Sequence, residues 1–283
     1  MSEQSKDGSK TPAIPRLSAT ILLLRDGPAL EVLMVKRHYE IDFASGALVF
    51  PGGKAVPRDG VDAWAAHTDG DFTGEALSAR VAAVREAFEE SGVLLARHAA
   101  SRGADAPLVG TDISDKLAPM RGPVDRGEVD FLALIEAHDL VLALDRLVPF
   151  GHWITPVMMP KRFDTYFYLA ATPPDQVAEQ DGRETTEAVW VTAENALAAE
   201  AAGEATIIFP TRMNLKRLAL ASTTQEALDR FAASPAPTVL PEVTRDENGS
   251  PCLRIPEVEG YGQTIEPLEN LKDVNTPRGG PAS

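Results

Sequence analysis

Arg85-Glu86-Ala87-Phe88-Glu89-Glu90-Ser91-Gly92-Val93 sets three glutamates within five residues and ends on a glycine-valine pair. Around it, Leu77, Val81, Val84 and Phe88 recur at steps of four, three and four, the spacing of one stripe along an α-helix. The period predicts a helix over residues 75–97. At about 100° per residue, Glu86, Glu89 and Glu90 project almost opposite that stripe, with Ala79, Ala82 and Ala83 as small neighbours on their own side. One face is therefore expected to dock on a sheet while the other presents carboxylates. Like charges one helical turn apart repel by roughly 0.2–0.5 kcal/mol on an exposed helix. A divalent cation removes that conflict, and an all-oxygen, water-retaining site favours Mg²⁺ or Mn²⁺. Arg85 can pair with one carboxylate and fix its rotamer. Taken alone, an E-x-x-E-E string also reads as a solvated acidic face.

Upstream, Phe50-Pro51-Gly52-Gly53 closes a short β-run over residues 47–50. We read it as a turn whose glycines let a backbone carbonyl approach a metal or phosphate. Working outward, residues 17–24 and 29–36 form a predicted hairpin about Arg25-Asp26-Gly27-Pro28. Residues 54–73 lack a period and read as a surface insertion expected to influence substrate choice. Residues 97–127 read as a long loop, and 128–144 as a second helix. Strands are expected over 147–155, 162–171 and 188–191, with a polar loop over 173–186 between the last two. Thr192 is placed to cap a helix over 193–202, and Pro210 to open another reaching about residue 221. Thr223 and Glu226 have capping-box spacing for one more, ending near residue 233. Residues 235–242 and 251–258 suggest a hairpin about Asp246-Glu247-Asn248-Gly249, with a loose tail from Gly260 onward.

The 283 residues are 44% hydrophobic and 24% charged, an ordinary balance for a globular chain. A net charge of −15 argues against a large nucleic-acid footprint, which needs a basic surface. Cys252 is the sole cysteine, which rules out an internal disulfide. Residues 1–15 read as a polar, disordered arm without the apolar core of a signal peptide. No run of about 18 apolar residues suggests a membrane span. A cytoplasmic location is the expectation.

The two glycine- and glutamate-bearing segments together resemble the Nudix box, G-x5-E-x7-R-E-U-x-E-E-x-G-U with U aliphatic. Gly53 takes the first glycine position. Arg85, Glu86, Glu89, Glu90, Gly92 and Val93 match the second half, with Ala87 as a small U. The spacing departs from the pattern. Counting on from Gly53 puts Asp59 at the first acidic position, and an insertion of about 18 residues then splits the box. Either Asp59 or Glu75 stands for the missing glutamate. This split, with residues 43–53 and 85–95, resembles the branch whose animal members are peroxisomal coenzyme A diphosphatases. His152-Trp153-Ile154-Thr155-Pro156, Arg162-Phe163-Asp164-Thr165 and Pro210-Thr211 resemble it too. The separate coenzyme A signature of other Nudix diphosphatases is not matched by residues 40–49. Pro281-Ala282-Ser283 is not a peroxisomal address.

The resemblance implies an α+β fold: a Nudix-type α/β/α sandwich with a mixed β-sheet between helices, spanning residues 16–233, its box interrupted at 54–75. Residues 234–283 would be a C-terminal extension. It further implies metal-dependent hydrolysis of a diphosphate bond in a nucleoside diphosphate derivative. Coenzyme A or acyl-CoA is the leading substrate; ADP-ribose, dinucleotides and nucleotide sugars are the alternative. A non-catalytic nucleotide-binding module is a further reading, weakened by the presence of all three glutamates. Glu86, Glu89, Glu90 and the Gly53 carbonyl would hold Mg²⁺ or Mn²⁺. Arg85 would support them, and Glu184 and Glu187 are loop candidates for the general base. Gly52, Gly53, Arg37, Lys161, Arg162 and Trp153 are candidate substrate contacts. His38, His67, His98, His138 and His152 show no metal-ligand spacing. The expected partner is the small-molecule substrate, with no nucleic acid or membrane; a homodimer stays open.

Overall fold

Residues 19–24 are nearly all apolar, as a strand covered on both faces requires. In the computed structural model, which describes residues 12–37, 46–179 and 185–272, they form the centre of β1 (Arg16–Asp26). A hairpin leads to β2 (Leu30–Arg37), followed by β3 (Leu48–Val49) and β4 (Gly52–Lys54). Two 3-10 turns, Pro57–Gly60 and Asp62–Ala66, precede α1 (Gly74–Ser91). Next come β5 (Ala96–His98), α2 (Thr111–Leu117), α3 (Arg121–Asp125), α4 (Phe131–Ala137) and β6 (Leu140–Leu142). The chain returns through β7 (Val148–Ile154), β8 (Phe163–Ala171) and β9 (Thr185–Val191), then α5 (Ala193–Ala201), α6 (Phe209–Leu218) and α7 (Thr224–Ala232). It closes with β10 (Thr238–Val239), β11 (Glu242–Arg245), β12 (Pro251–Arg254), β13 (Ile265–Pro267) and α8 (Glu269–Lys272).

Among the described residues the main sheet has eight strands, in the order β10-β7-β8-β1-β2-β3, with β4 on β1 and β9 on β2. β1 runs parallel to β8 and antiparallel to β2 and β4, so the sheet is mixed. Alternation along β1 sends Ala19, Ile21 and Leu23 to one core and Leu22 and Leu24 to the other. The first core is closed by α1 with parts of α2, α3 and α4, the second by α5, α6 and α7. The expected sandwich is present. The predicted caps are present as well. The Thr192 side chain accepts from the Asn195 N–H at 3.1 Å and Thr223 from the Glu226 N–H at 3.2 Å. The expected N-terminal arm lies largely outside the described residues.

The chain departs from expectation where short elements carry no period. The first helix ends at Ser91, because Gly92 adopts φ 76° and donates its N–H to the Phe88 carbonyl at 3.0 Å. The span 97–127 contains α2 and α3 rather than only loop. The second helix stops at Ala137; Asp139, at φ 51°, turns the chain into β6, which pairs antiparallel with β5. β9 begins at Thr185, three residues earlier than expected. The C-terminal hairpin forms between β11 and β12, but little of the expected first arm over 235–242 belongs to it: Thr238 and Val239 pair with β7 in the main sheet, and β13 adds a third strand to the hairpin. The chain beyond Gly260 is not loose as far as α8: Tyr261 is fully buried and its hydroxyl accepts the Trp153 indole N–H at 3.1 Å.

The insertion is not a surface loop either. Trp64 is 1% exposed, lies 5.8 Å from the Phe131 ring, and donates its indole N–H to the Arg58 carbonyl at 2.9 Å. A few residues on, Asp69 is clamped by the fully buried Arg97, whose Nη1 reaches Asp69 at 2.8 Å and Asp145 at 2.6 Å. The segment is part of the first core. Trp64→Ala should therefore lower unfolding free energy by about 3–5 kcal/mol, the usual cost of emptying a large aromatic site. A urea-denaturation loss below about 1 kcal/mol would show that the insertion is peripheral after all.

Candidate active site

The glutamates sit on the last two turns of α1, and the packing there covers both faces of the helix. Glu86, Glu89 and Glu90 are only 9, 6 and 5% exposed. The helical projection locates them correctly opposite the apolar stripe but does not show that β4, the insertion and α3 close over them. Arg85 is the hub. Its Nε donates to Asp59 Oδ1 at 3.0 Å, and its Nη2 to Asp59 Oδ2 at 3.0 Å and to the Lys54 carbonyl at 2.9 Å. Its Nη1 donates to Glu86 Oε1 at 2.9 Å and to the Glu89 oxygens at 3.0 and 2.9 Å. The planar guanidinium thus joins the carboxylate pair on the helix to Asp59 in the insertion.

That fork decides between the two acidic candidates. Asp59 is 1% exposed and also accepts the Val56 N–H at 2.8 Å. Glu75 lies at the opposite end of α1, where it accepts the Tyr166 hydroxyl at 2.7 Å. Asp59 takes the first acidic position of the motif.

Gly52 and Gly53 form β4 against β1 rather than a turn; Gly52 is required by close approach to backbone, and Gly53 packs against a carboxylate. A Cβ on Gly52 would stand 2.5 Å from the Ala19 carbonyl oxygen; one on Gly53 would stand 2.5 Å from the Glu86 carboxylate. The Gly52 N–H donates to Glu90 Oε2 at 3.0 Å. β4 therefore touches two of the three glutamates. Gly53→Ala should displace the Glu86 carboxylate from its place beside Arg85 and lower kcat about 10²-fold, as a misplacement near 1 Å does. Steady-state turnover at the wild-type level would show that Glu86 need not be held there.

The carboxylates of Asp59, Glu86 and Glu89 crowd around the Arg85 guanidinium. Burial, with Glu86 and Asp125 adding repulsion and Arg85 opposing, pushes the Glu89 carboxyl up to about 8. Although burial opposes it, the field of Glu86, Asp59 and Glu89 holds the Arg85 guanidinium well above its ordinary range. Among the described residues no three acidic, His or Cys side chains already converge as a metal cage. The reason is visible: Arg85 Nη1 fills the space between Glu86 and Glu89. The donor chemistry nevertheless fits a divalent cation, being buried and all-oxygen.

The family described as NUDT19 Nudix domain matches residues 65–218, more than half of the chain. The chain belongs to this Nudix family. It is 26% identical over 205 residues to a Xenopus laevis protein named acyl-coenzyme A diphosphatase NUDT19, covering 59% of this chain and 54% of the relative. It is 37% identical over 99 residues to the Homo sapiens protein of the same name, covering 34% of this chain and 26% of the relative. The chain spans 60% or less of the length of the curated relatives it matches. A crystal structure of a NUDIX hydrolase from Alicyclobacillus acidocaldarius superposes with TM-score 0.65 at 28% identity, covering 78% of this chain and 99% of that one.

The remaining expected contacts of the Nudix site divide sharply. Trp153 is corrected to a core residue. Alternation along β7 turns it away from α1, into the second core, where it meets Phe209 edge-on at 5.7 Å between ring centroids. His152, its neighbour, faces the α1 side, between Asp164 and Thr238 and stacked on Tyr166 at 4.2 Å. Arg162 is corrected too: its guanidinium donates to the Thr155 and Ala13 carbonyls at 3.0 and 2.9 Å, closing the β7–β8 hairpin. Lys161 is exposed in that hairpin turn, and Arg37 ends β2 opposite Thr185. Glu187 lies opposite Lys36 in the β2–β9 register and alternates with Val189 and Val191, on the sheet face away from α1. The structure does not bring it to the glutamates. Glu184 lies outside the described residues. Sequence reasoning missed Arg121, which no period or motif signals and which caps the Nudix helix. Among the described residues no helix is long and apolar enough to cross a membrane.

Proposed function

We propose that this chain hydrolyses the diphosphate bond of coenzyme A or an acyl-CoA, using Mg²⁺ or Mn²⁺. The carrying observation is the buried junction in which Arg85 ties Asp59 to Glu86 and Glu89 while the Gly52 N–H meets Glu90. The names of the frog and human relatives support the substrate class. Glu86, Glu89, Glu90 and the Gly53 carbonyl would hold the cation. When bound, it neutralises diphosphate oxygens and lowers the pKa of a water molecule.

The chain's own residues supply the rest. Arg85, anchored on Asp59, keeps the glutamate carboxylates oriented, and the bare backbone of β4 leaves room beside them. Water oxygen attacks one phosphorus, the P–O bond to the bridging oxygen breaks, and the water proton passes to a carboxylate. That base is a glutamate of α1 or Glu184. On coenzyme A, the products are 4′-phosphopantetheine and adenosine 3′,5′-bisphosphate. A cytoplasmic setting belongs to the same reading.

A panel of coenzyme A, acyl-CoAs, NADH, ADP-ribose and diadenosine polyphosphates, with Mg²⁺ or Mn²⁺ and product masses, tests it. The expected result is the highest kcat/KM on coenzyme A or an acyl-CoA. Cleavage of ADP-ribose or dinucleotides with none of coenzyme A overturns the substrate class. Ligand binding without turnover of any diphosphate overturns the hydrolase reading.

A further inference from the structure

Arg121 lies outside the Nudix box, yet its guanidinium is fastened to the box's last turn. Its Nε donates to the carbonyls of Phe88 and Glu89, each at 3.1 Å. Both lie at the helix C-terminus, where the Phe88 carbonyl also takes the Gly92 N–H at 3.0 Å, a shared donor is common, and a cation complements the helix dipole. Its Nη2 donates to the Glu179 carbonyl at 2.7 Å, and the Glu179 N–H donates to the Ser91 carbonyl at 2.9 Å. A Cβ on Gly92 would lie 3.4 Å from Arg121 Nη1 and 3.6 Å from its guanidinium carbon. The motif glycine takes φ 76° to end α1, and Arg121 passes beside it at ordinary packing distance. On the far side, the Thr185 hydroxyl reaches the Glu90 carbonyl at 3.5 Å. The turn that carries Glu89 and Glu90 is thus tied from α3, from Glu179 and from the start of β9.

We propose that Arg121 is a positioning residue for Glu89 and Glu90, fixing the C-terminal turn of the Nudix helix so that the two carboxylates stand at one cation. This rests on the hydrolase reading above. An arginine suits the task because its rigid, planar fork serves three carbonyls from two directions, whereas a lysine is a point donor on a flexible stem. Groups that hold a reacting centre need placement to within about 0.5 Å, which a frayed last turn does not give.

The test compares wild type, Arg121→Ala and Arg121→Lys in two measurements. One is Mn²⁺ affinity without substrate, by titration followed with electron paramagnetic resonance; the other is kcat and KM at saturating Mn²⁺, below each variant's melting temperature. Positioning requires Arg121→Ala to lose about tenfold or more in both Mn²⁺ affinity and kcat, with KM within about twofold, and Arg121→Lys to recover only part. A plain helix cap would lower the melting temperature alone. Wild-type Mn²⁺ affinity and kcat in folded Arg121→Ala therefore overturn the proposal. If that variant does not fold, Arg121→Lys decides on the same criteria. A wild-type protein that neither binds Mn²⁺ nor cleaves a diphosphate sinks the hydrolase reading itself and this proposal with it.

Discussion

Glu89→Gln and Glu90→Gln are each expected to lower kcat by about 10²–10⁴-fold, the range lost when a proton-handling group is neutralised. The amide keeps the shape of the side chain and, at position 90, an oxygen that still accepts the Gly52 N–H at about the present 3.0 Å. What it removes is charge. Both positions are about 95% buried, so the charge lost is little screened by water. The effect on folding should run the other way. Burial and the neighbouring Glu86 already disfavour the Glu89 carboxylate. Glutamine at that position should leave the metal-free melting temperature unchanged or higher. Reduced turnover with preserved or raised stability separates a catalytic from a structural glutamate. Wild-type turnover in both variants, at saturating Mn²⁺, refutes their assignment to the cation.

Arg85→Ala should cost as much stability as emptying the Trp64 site. Arg85 is 7% exposed and contacts three carboxylates, those of Asp59, Glu86 and Glu89. Its removal leaves these buried carboxylates without the guanidinium that joins them. Breaking such a pair from one side costs about 3–5 kcal/mol. Lysine should recover only part, because one ammonium cannot reach Asp59 and the helix carboxylates together. Urea denaturation of metal-free protein measures the loss, and a value below about 1 kcal/mol would show that the fork is not the hub of the site. Repeating it with Mn²⁺ present should recover part of the loss in the variant, since a ligand that binds only the folded state stabilises it.

Both expectations start from a string that was legible without coordinates. The stripe of Leu77, Val81, Val84 and Phe88 identified the helix and the glutamates its opposite face, while its end at Ser91 rather than residue 97 came from the φ of 76° at Gly92. Thr192 and Thr223 marked two later helix starts, because a capping side chain bonds within its own turn and needs no distant partner. The longer strands of the main sheet, β1, β2, β7 and β8, were legible from their apolar runs, whereas β4 and β10 carry no such run. The short helices α2 and α3 were not, because one or two turns hold too few residues to show a period. Trp153 was misjudged for a different reason. An aromatic on a strand belongs to one of two faces, and only the position of α1 says which face holds the site.

Residue types and spacing by themselves determined the family pattern, the carboxylate helix, and the kind of chemistry three clustered glutamates invite. The tertiary structure alone decided that Asp59, not Glu75, completes the motif, that the insertion is core, and that the glutamate face is enclosed. The physical reason is range. A helical period is set by contacts three or four residues apart, whereas the charge balance of Glu86, Glu89 and Glu90 depends on desolvation. That burial is supplied by Asp59 meeting Arg85 across 26 positions and by Gly52 meeting Glu90 across 38.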